Sequence, residues 1–222
     1  DYAMTTTIER GIGLFGGTFD PIHNGHLTVA RHALDALKLS RIDLVLAPAP
    51  WQKSVATPVA RRMEMIEAAI AGDERLKLNT IEVMREGLTY TIDTLREMRE
   101  LVGPSTPLVL IMGADQWKNF HTWKSWREFS DYVNIALCNR ENDEPSANDE
   151  VSQHWQDREV APDLIREFAS GKITRFHIPA HTASSTKIRE IFATLPRNEA
   201  FEKLENWLPV SVARTIASAK LY

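Results

Sequence analysis

The sequence predicts an α/β fold of the Rossmann-like, doubly wound type, with a mostly parallel sheet and a small C-terminal helical portion. Short apolar runs alternate with amphipathic helical patterns along most of the chain, which is typical of β–α–β units. A glycine-rich turn follows the first apolar run, at the kind of position where open α/β sheets bind ligands. The 222 residues suit one domain that buries a sizeable core.

The predicted elements follow one another in sequence. They are strand 12–15, helix 27–39, strand 42–48, helix 58–71, strand 108–112, strand 133–138, strand 173–178 and helix 187–195. Thr57 and Pro58 indicate an N-cap and a first helical residue. Residues 140–171 are polar, charged and proline-containing, and we expect a variable insertion or a mobile loop there. We expect a single domain over 8–222 and a vector-derived remnant at 1–3.

Composition narrows the classes of function. The formal net charge is −4 and no long Lys/Arg run occurs, so we expect no broad nucleic-acid footprint. No apolar stretch approaches the roughly 20 residues that span a bilayer, and no signal-peptide pattern is seen, so we expect a cytoplasmic protein without a membrane partner. The single cysteine, Cys138, excludes an internal disulfide and a cysteine-based zinc site. The sequence does not specify an oligomeric state.

The first motif is Leu-Phe-Gly-Gly-Thr-Phe-Asp-Pro-Ile-His-Asn-Gly-His-Leu at residues 14–27. His23 and His26 are three residues apart, so a helix that begins just after His23 places both imidazoles above its first turn. That helix end offers free N–H groups, and Gly16 and Gly17 lack the Cβ atoms that would keep a ligand from the backbone. The combination fits phosphoryl or nucleotidyl transfer. The alternative is a turn whose glycines serve geometry alone.

The second motif is Ser-Ser-Thr-Lys-Ile-Arg at residues 184–189, which opens a later helix. Apolar residues at helical spacing define the buried face of this helix: Ile188, Ile191, Phe192 and Leu195. Arg189 lies one turn into the helix and can bind phosphate oxygens in a bidentate manner. The hydroxyl groups alone would fit simple helix caps, but the presence of the first motif favours a second phosphate site.

The two motifs, 16–26 and 184–189, resemble the signature motifs of the HxGH nucleotidyltransferase superfamily. Within that superfamily the chain resembles the bacterial nicotinate-nucleotide adenylyltransferase family, from about Gly13 to the C-terminus. Residues 88–95 are similar to the family's Tyr-Thr segment, and residues 111–123 are similar to its Gly-x-Asp…Trp segment.

The chain departs from this family after the second predicted strand. The family often has Pro-Pro-His-Lys or Pro-Pro-His-Arg there, whereas residues 49–53 read Ala-Pro-Trp-Gln-Lys. The proline and the cation, Lys53, are kept, and the imidazole of this segment is absent.

The resemblance implies adenylyl transfer from ATP to nicotinate mononucleotide, which yields deamido-NAD and pyrophosphate. The implied catalytic residues, which hold phosphates and stabilise the charged transition state, are His23, His26, Lys53 and Arg189. The implied ATP-binding residues are Gly16, Gly17, Thr18, Phe19, Asp115, Ser184, Ser185 and Thr186. The implied nicotinate-nucleotide-binding residues are Thr91, Trp123 and Lys124. Mg²⁺ is expected on the ATP phosphates without a protein ligand set.

Two alternatives stay open. Phosphopantetheine adenylyltransferases share both motifs, although that family is shorter and lacks the Gly-x-Asp…Trp segment in the form seen here. A non-catalytic nucleotide sensor would bind without turnover, and such a protein could lose an imidazole or the arginine. His23, His26 and Arg189 are all present, which favours the enzyme.

Overall fold

The computed structural model describes residues 11–48, 57–140 and 144–222. Six strands form one sheet in these ranges: β1 (Ile12–Gly17), β2 (Arg41–Leu46), β3 (Leu76–Asn79), β4 (Leu108–Gly113), β5 (Asn134–Arg140) and β6 (Ile173–Ile178). The strand order is β3-β2-β1-β4-β5-β6, and each neighbouring pair is parallel. The predicted Rossmann-like, doubly wound fold is therefore confirmed, with a fully parallel sheet in the described residues.

Helices cover both faces of the sheet. They are α1 (Asn24–Leu37), α2 (Val59–Ile70), α3 (Thr91–Val102), α4 (Ala114–Lys118), α5 (Phe129–Tyr132), α6 (Asp149–His154), α7 (Ser185–Thr194), α8 (Arg197–Lys203) and α9 (Val210–Ala219). Short 3₁₀ turns lie at Phe120–Thr122, Trp126–Glu128 and Pro162–Glu167. The last three helices form the predicted C-terminal helical portion. No helix in the described ranges is long and apolar enough to cross a membrane.

Alternate residues of each central strand pack into two apolar layers. In β4, Val109 and Ile111 belong to the layer beneath α1 and α2, whereas Leu110 and Met112 belong to the layer beneath α3. This alternation follows from the period of two along a strand. Both sides of the strand are buried, and for this reason it reads in the sequence as a continuous apolar run.

Most predicted elements differ from the structure only at their ends, but the predicted helix cap at Thr57 is wrong. Pro58 occupies the N-cap of α2 and no side chain caps this helix. The carbonyl oxygen of Thr57 instead accepts a hydrogen bond from the Arg62 guanidinium. Strand β3 was not predicted, because Leu76 is its only fully buried residue and gives a weak apolar signal. Helix α3 was also missed.

The described part of the predicted insertion at 140–171 contributes to the core. Val151, Trp155 and Ile165 are buried there. The turn Pro162–Glu167 packs against β6 and α1, and Asn134 of β5 donates to the carbonyl oxygen of Phe168. The expectations of a variable insertion, and of one domain over 8–222, stay predictions.

Arg62 on α2 is a fully buried cation that connects two loops. Its guanidinium donates to the carbonyl oxygens of Thr57 (3.1 Å), Thr18 (2.9 Å) and Ala47 (2.9 Å). Burial lowers the pKa of Arg62, and the nearby Asp20 carboxylate opposes that shift. The guanidinium therefore holds together the loops that follow β1 and β2.

Replacing Arg62 by methionine removes three donors to carbonyl oxygens, and each unsatisfied buried group costs about 1–3 kcal/mol. We expect the free energy of unfolding to fall by about 3–5 kcal/mol, as when one member of a buried charge pair is removed. Urea denaturation measures this loss. Arg61→Met is the matched control, since Arg61 forms a solvent-exposed ion pair with Glu64 that is worth at most about 1 kcal/mol. Equal losses in the two variants would contradict the role given to Arg62.

Candidate active site

Two cavities open where the strand order reverses, at the carboxyl ends of β1 and β4. Open α/β sheets bind ligands at this position. The larger cavity, of about 480 Å³, extends toward α1 and the loop before α7. The smaller, of about 280 Å³, extends toward α3. Both are lined by Gly16, Ile111, Met112 and Gln116, so two ligands could meet above these residues.

His23 and His26 line the larger cavity at the start of α1. The backbone N–H of Gly25 donates to His23 Nδ1 (3.0 Å), and the backbone N–H of His23 donates to His26 Nδ1 (3.1 Å). The two rings stack with their centroids 3.8 Å apart. Because both Nδ1 atoms accept hydrogen bonds, each neutral ring carries its proton on Nε2. Each imidazole thus keeps one N–H donor for a ligand.

Both imidazoles are held in the neutral state. Burial lowers the pKa of His23 from 6.5 to about 4, and the neighbouring His181 lowers it further as the second cause. Burial also lowers the pKa of His26 well below 6.5, with His23 as the second cause. At neutral pH the pair therefore presents neutral hydrogen-bond donors, and the positive potential comes from the helix N-terminus and from Arg140, which lines the same cavity.

Gly25 makes the position of the His23 ring possible. A Cβ atom on Gly25 would lie 2.8 Å from Cε1 and 2.9 Å from Nδ1 of that ring, which is too close. Gly16 differs, because a Cβ atom there would meet only the carbonyl oxygen of Val45, at 3.9 Å. The fold thus requires a glycine at 25, while at 16 a glycine leaves room for a ligand.

Phe19 packs against the first motif and lines neither cavity. Its ring is buried, packs edge-on against His26 with centroids 4.9 Å apart, and lies against Gly17, where a Cβ atom would approach it to 3.2 Å. Its backbone φ of 49° lies in the left-handed region, which costs a residue with a Cβ atom about 1–2 kcal/mol. Packing of the ring offsets that cost and keeps His26 in place.

The second motif is joined to the first by side-chain hydrogen bonds. Ser184 is the N-cap of α7 and accepts from the backbone N–H of Lys187 (3.0 Å). Ser185 Oγ donates to the carbonyl oxygen of Pro21 (2.9 Å). Both serines line the larger cavity.

Arg189 lies outside the lining of both cavities. Its guanidinium donates to the carbonyl oxygen of Asp20 (2.7 Å) and, at 3.4 Å, to the hydroxyl of Thr186. Thr186 is also absent from the lining. The structure thus places Arg189 in contact with the β1 loop, with two of its N–H groups engaged and the others available.

The predicted nicotinate-side residues are divided by the structure. Thr91 and Trp123 line the smaller cavity, as do Gly17 and Thr18, which were expected beside ATP. Lys124 does not line it, and its Nζ atom lies 4.2 Å from the ring centroid of Tyr90.

Asp115 lines the larger cavity. Lys53 falls outside the described residues. Among those that are described, no group of three or more His, Cys, Asp or Glu side chains forms a metal cage.

Sequence reasoning missed five polar lining residues. His181 and Arg140 line the larger cavity, Glu82 and Thr94 line the smaller one, and Gln116 lines both. Burial raises the pKa of Glu82, which accepts a hydrogen bond from the Thr94 hydroxyl (2.8 Å). Arg140 and His181 follow predicted apolar strands, so the rule that ligands bind beyond strand ends gave a usable signal for both.

The depressed histidine pKa values predict that acid destabilises the fold. Unfolded imidazoles bind protons near pH 6.5, whereas folded His23 stays neutral down to about pH 4. The free energy of unfolding is therefore expected to fall as the pH drops from 6.5 toward 4. In the double variant His23→Asn/His26→Asn, which keeps an acceptor at each cap, the fall should be smaller.

Urea denaturation at pH 5 and pH 7.5 measures this difference. The control is His121→Asn, because His121 is exposed and lines neither cavity. An unchanged pH dependence in the double variant would show that these two histidines titrate normally.

Comparisons with known proteins agree with the motifs. The cytidylyltransferase-like family model matches residues 14–191. A protein of Neisseria meningitidis, named a probable nicotinate-nucleotide adenylyltransferase, is 37% identical over 214 residues, which are 96% of this chain and 98% of the relative. A protein of Chromobacterium violaceum with the same name is 35% identical over 214 residues, covering 95% and 98% of the two chains.

A solved structure has the same fold. It is described as Plasmodium falciparum nicotinic acid mononucleotide adenylyltransferase complexed with NaAD, and it matches with a TM-score of 0.72 at 18% identity over 96% of this chain and 97% of the other. That likeness concerns the fold, while the identity to the bacterial relatives reaches across nearly the whole chain. From this match and from its two motifs, the chain belongs to the nicotinate-nucleotide adenylyltransferase family of cytidylyltransferase-like proteins.

Proposed function

We propose that this chain transfers the adenylyl group of ATP to nicotinate mononucleotide, forming nicotinate adenine dinucleotide and pyrophosphate in NAD biosynthesis. The observation that carries the proposal is the meeting of two cavities above Gly16, with the imidazole donors of His23 and His26 in the larger one. The names of the bacterial relatives support the choice of acceptor.

In the proposed reaction an oxygen of the mononucleotide phosphate attacks the α-phosphorus of ATP. The new P–O bond forms as the bond from the α-phosphorus to the bridging oxygen breaks, and that electron pair leaves with pyrophosphate. No general base is required, since a phosphate monoester with a second pKa of about 6 is already largely ionised at pH 7. The work of the protein is alignment and stabilisation of charge.

The larger cavity suits the triphosphate. His23 and His26 direct Nε2–H donors into it, and the N-terminus of α1 adds a positive dipole end. The expected free N–H groups at this helix end are largely engaged within the protein, because Asn24 donates to the Trp207 carbonyl oxygen and Gly25 donates to His23 Nδ1. Gly16 lets phosphate oxygens approach the backbone. Arg189 and Lys53 are proposed as phosphate-binding cations, with Arg189 turning part of its guanidinium from the Asp20 carbonyl toward the ligand.

The remaining contacts divide between the two substrates. Ser184, Ser185 and Asp115 line the ATP side, with Asp115 proposed at the adenosine end. Thr91 and Trp123 are proposed to recognise nicotinate in the smaller cavity. Lys124 is proposed to contact nicotinate as well, once its ammonium group moves away from the Tyr90 ring. Neutral N–H donors there would favour a carboxylate over an amide, which presents an N–H₂ group instead of an acceptor.

Mg²⁺ is proposed to arrive on the ATP phosphates. Asp115 is the one carboxylate among the described residues that line the larger cavity, and the histidine Nδ1 atoms are occupied by backbone N–H groups. This donor set fits an ion held mainly by phosphate oxygens and water, which Mg²⁺ prefers. When bound, the ion would neutralise charge on the leaving pyrophosphate.

A cytoplasmic location is also part of the proposal. Cys138 is buried beside the larger cavity, and burial raises the pKa of its thiol to about 11, so the thiol stays protonated at neutral pH. A single buried thiol suits a reducing compartment.

Pyrophosphate release tests the function directly. Purified protein is supplied with Mg-ATP and, in parallel reactions, with nicotinate mononucleotide, nicotinamide mononucleotide or phosphopantetheine. Release with the nicotinate compound is expected, and His26→Ala should lower the rate about 10²–10³-fold, as loss of a preorganised donor does. His32→Ala on the same helix is the control, since His32 lines neither cavity. ATP binding without pyrophosphate release in the presence of any of the three acceptors would favour a non-catalytic sensor.

Two glycine variants distinguish a glycine that the folded structure requires from a glycine that ligand binding requires. Gly25→Ala should displace the His23 ring and lower both stability and activity, because its Cβ atom has no room. Gly16→Ala should leave the thermal midpoint nearly unchanged and raise the KM for ATP, since its Cβ atom would project into the cavity. Thermal unfolding and steady-state kinetics of both variants give the comparison. A large loss of stability in Gly16→Ala would show that the protein itself needs this glycine.

A further inference from the structure

A third imidazole lies beside the pair at the start of α1. His181, in the loop between β6 and α7, lines the larger cavity together with His23 and His26. A Cβ atom built on Gly25 would lie 2.9 Å from His23 Nδ1 and 3.5 Å from His181 Nδ1. Two rings thus lie against the same glycine, His23 from the first motif and His181 from the loop that precedes the second motif.

The hydrogen bonds give His181 the same protonation pattern as its neighbours. The backbone N–H of Ala183 donates to His181 Nδ1 (3.1 Å). The neutral ring therefore carries its proton on Nε2. His181, His23 and His26 each offer one Nε2–H donor in one cavity. A metal ion needs a free ring nitrogen, so this set suits an anion with several oxygens better than a metal.

Helix α7, which begins four residues after His181, is fixed against the first motif. Ser185 Oγ donates to the carbonyl oxygen of Pro21, and the Arg189 guanidinium donates to that of Asp20. The His181 ring is held in turn by the Ala183 N–H, which lowers the conformational entropy lost when the ring contacts a ligand.

We propose that His181 binds the leaving pyrophosphate portion of ATP through its Nε2–H group. The inference rests on the proposed function in one respect, namely that the larger cavity takes the triphosphate. The reacting α-phosphorus belongs near Gly16, which both cavities share. His181 lines only the larger cavity, away from the acceptor, and its ring lies against Gly25 beside the proposed phosphate donor His23, so it is assigned to the β- or γ-phosphate.

The asparagine variant separates this role from a structural one. In His181→Asn the side-chain oxygen takes the place of Nδ1 and still accepts from the Ala183 N–H, but the distal donor is gone. A residue that only shapes the loop would tolerate this change. Thr182→Ala is the matched control, because Thr182 is the next residue of the loop and is exposed.

Calorimetric titration with magnesium pyrophosphate and steady-state kinetics give the readouts. We expect His181→Asn to weaken pyrophosphate binding and raise the KM for ATP by about 10- to 100-fold, the value of one hydrogen bond to a charged group, while the KM for nicotinate mononucleotide stays unchanged. Unchanged pyrophosphate affinity in a folded His181→Asn would overturn the proposal.

A second measurement covers the case in which this variant does not fold. Side-chain ¹H–¹⁵N spectra of the unaltered protein should show the His181 Nε2 resonance shifting on addition of pyrophosphate, and a resonance that does not move would overturn the proposal. The proposed function is judged separately by turnover of nicotinate mononucleotide. If turnover fails while pyrophosphate affinity depends on His181, the function is wrong and this inference stands.

Discussion

The buried guanidinium of Arg62 is the interaction on which the site end of the molecule depends. A parallel sheet fixes its strands by backbone hydrogen bonds, but the loops beyond the carboxyl ends have no such partners and need donors from elsewhere. Arg62 supplies donors to carbonyl oxygens of the loops after β1 and β2. The carboxylate of the buried Asp20 lies close enough to favour the charged guanidinium, and it also accepts from the Tyr222 hydroxyl. These buried polar groups thus position the loops beneath the two cavities.

The backbone N–H groups at the N-terminus of α1 also determine which nitrogen of each imidazole carries the proton. Backbone N–H groups at the start of α1 need acceptors, and His23 and His26 provide them through Nδ1. That capping fixes the tautomer of each ring and leaves Nε2–H toward the cavity. This arrangement requires a glycine at position 25, because a Cβ atom there would overlap the His23 ring. The spacing His-x-Gly-His is therefore a folding motif and a ligand-binding motif at once.

Sequence patterns predicted the fold well because the strands are buried on both faces and read as apolar runs. The first motif was informative for a local reason: its glycines and histidines interact with near neighbours in the chain. Long-range placement was harder to predict. The Arg189 guanidinium contacts the Asp20 carbonyl, Lys124 lies over Tyr90, and Thr18 belongs to the smaller cavity. His181 was missed because its partners, Gly25 and His23, are far away in sequence.

The shared floor of the two cavities has a consequence for the end of the catalytic cycle. Gly16 and Gln116 line both spaces, so under the proposed function the dinucleotide product occupies the whole site once pyrophosphate has left. Its two halves are covalently linked, and each half raises the effective concentration of the other at its own subsite. The product then resembles a bisubstrate inhibitor of the empty enzyme. Accumulated dinucleotide therefore inhibits its own synthesis at the product-release step rather than at bond formation.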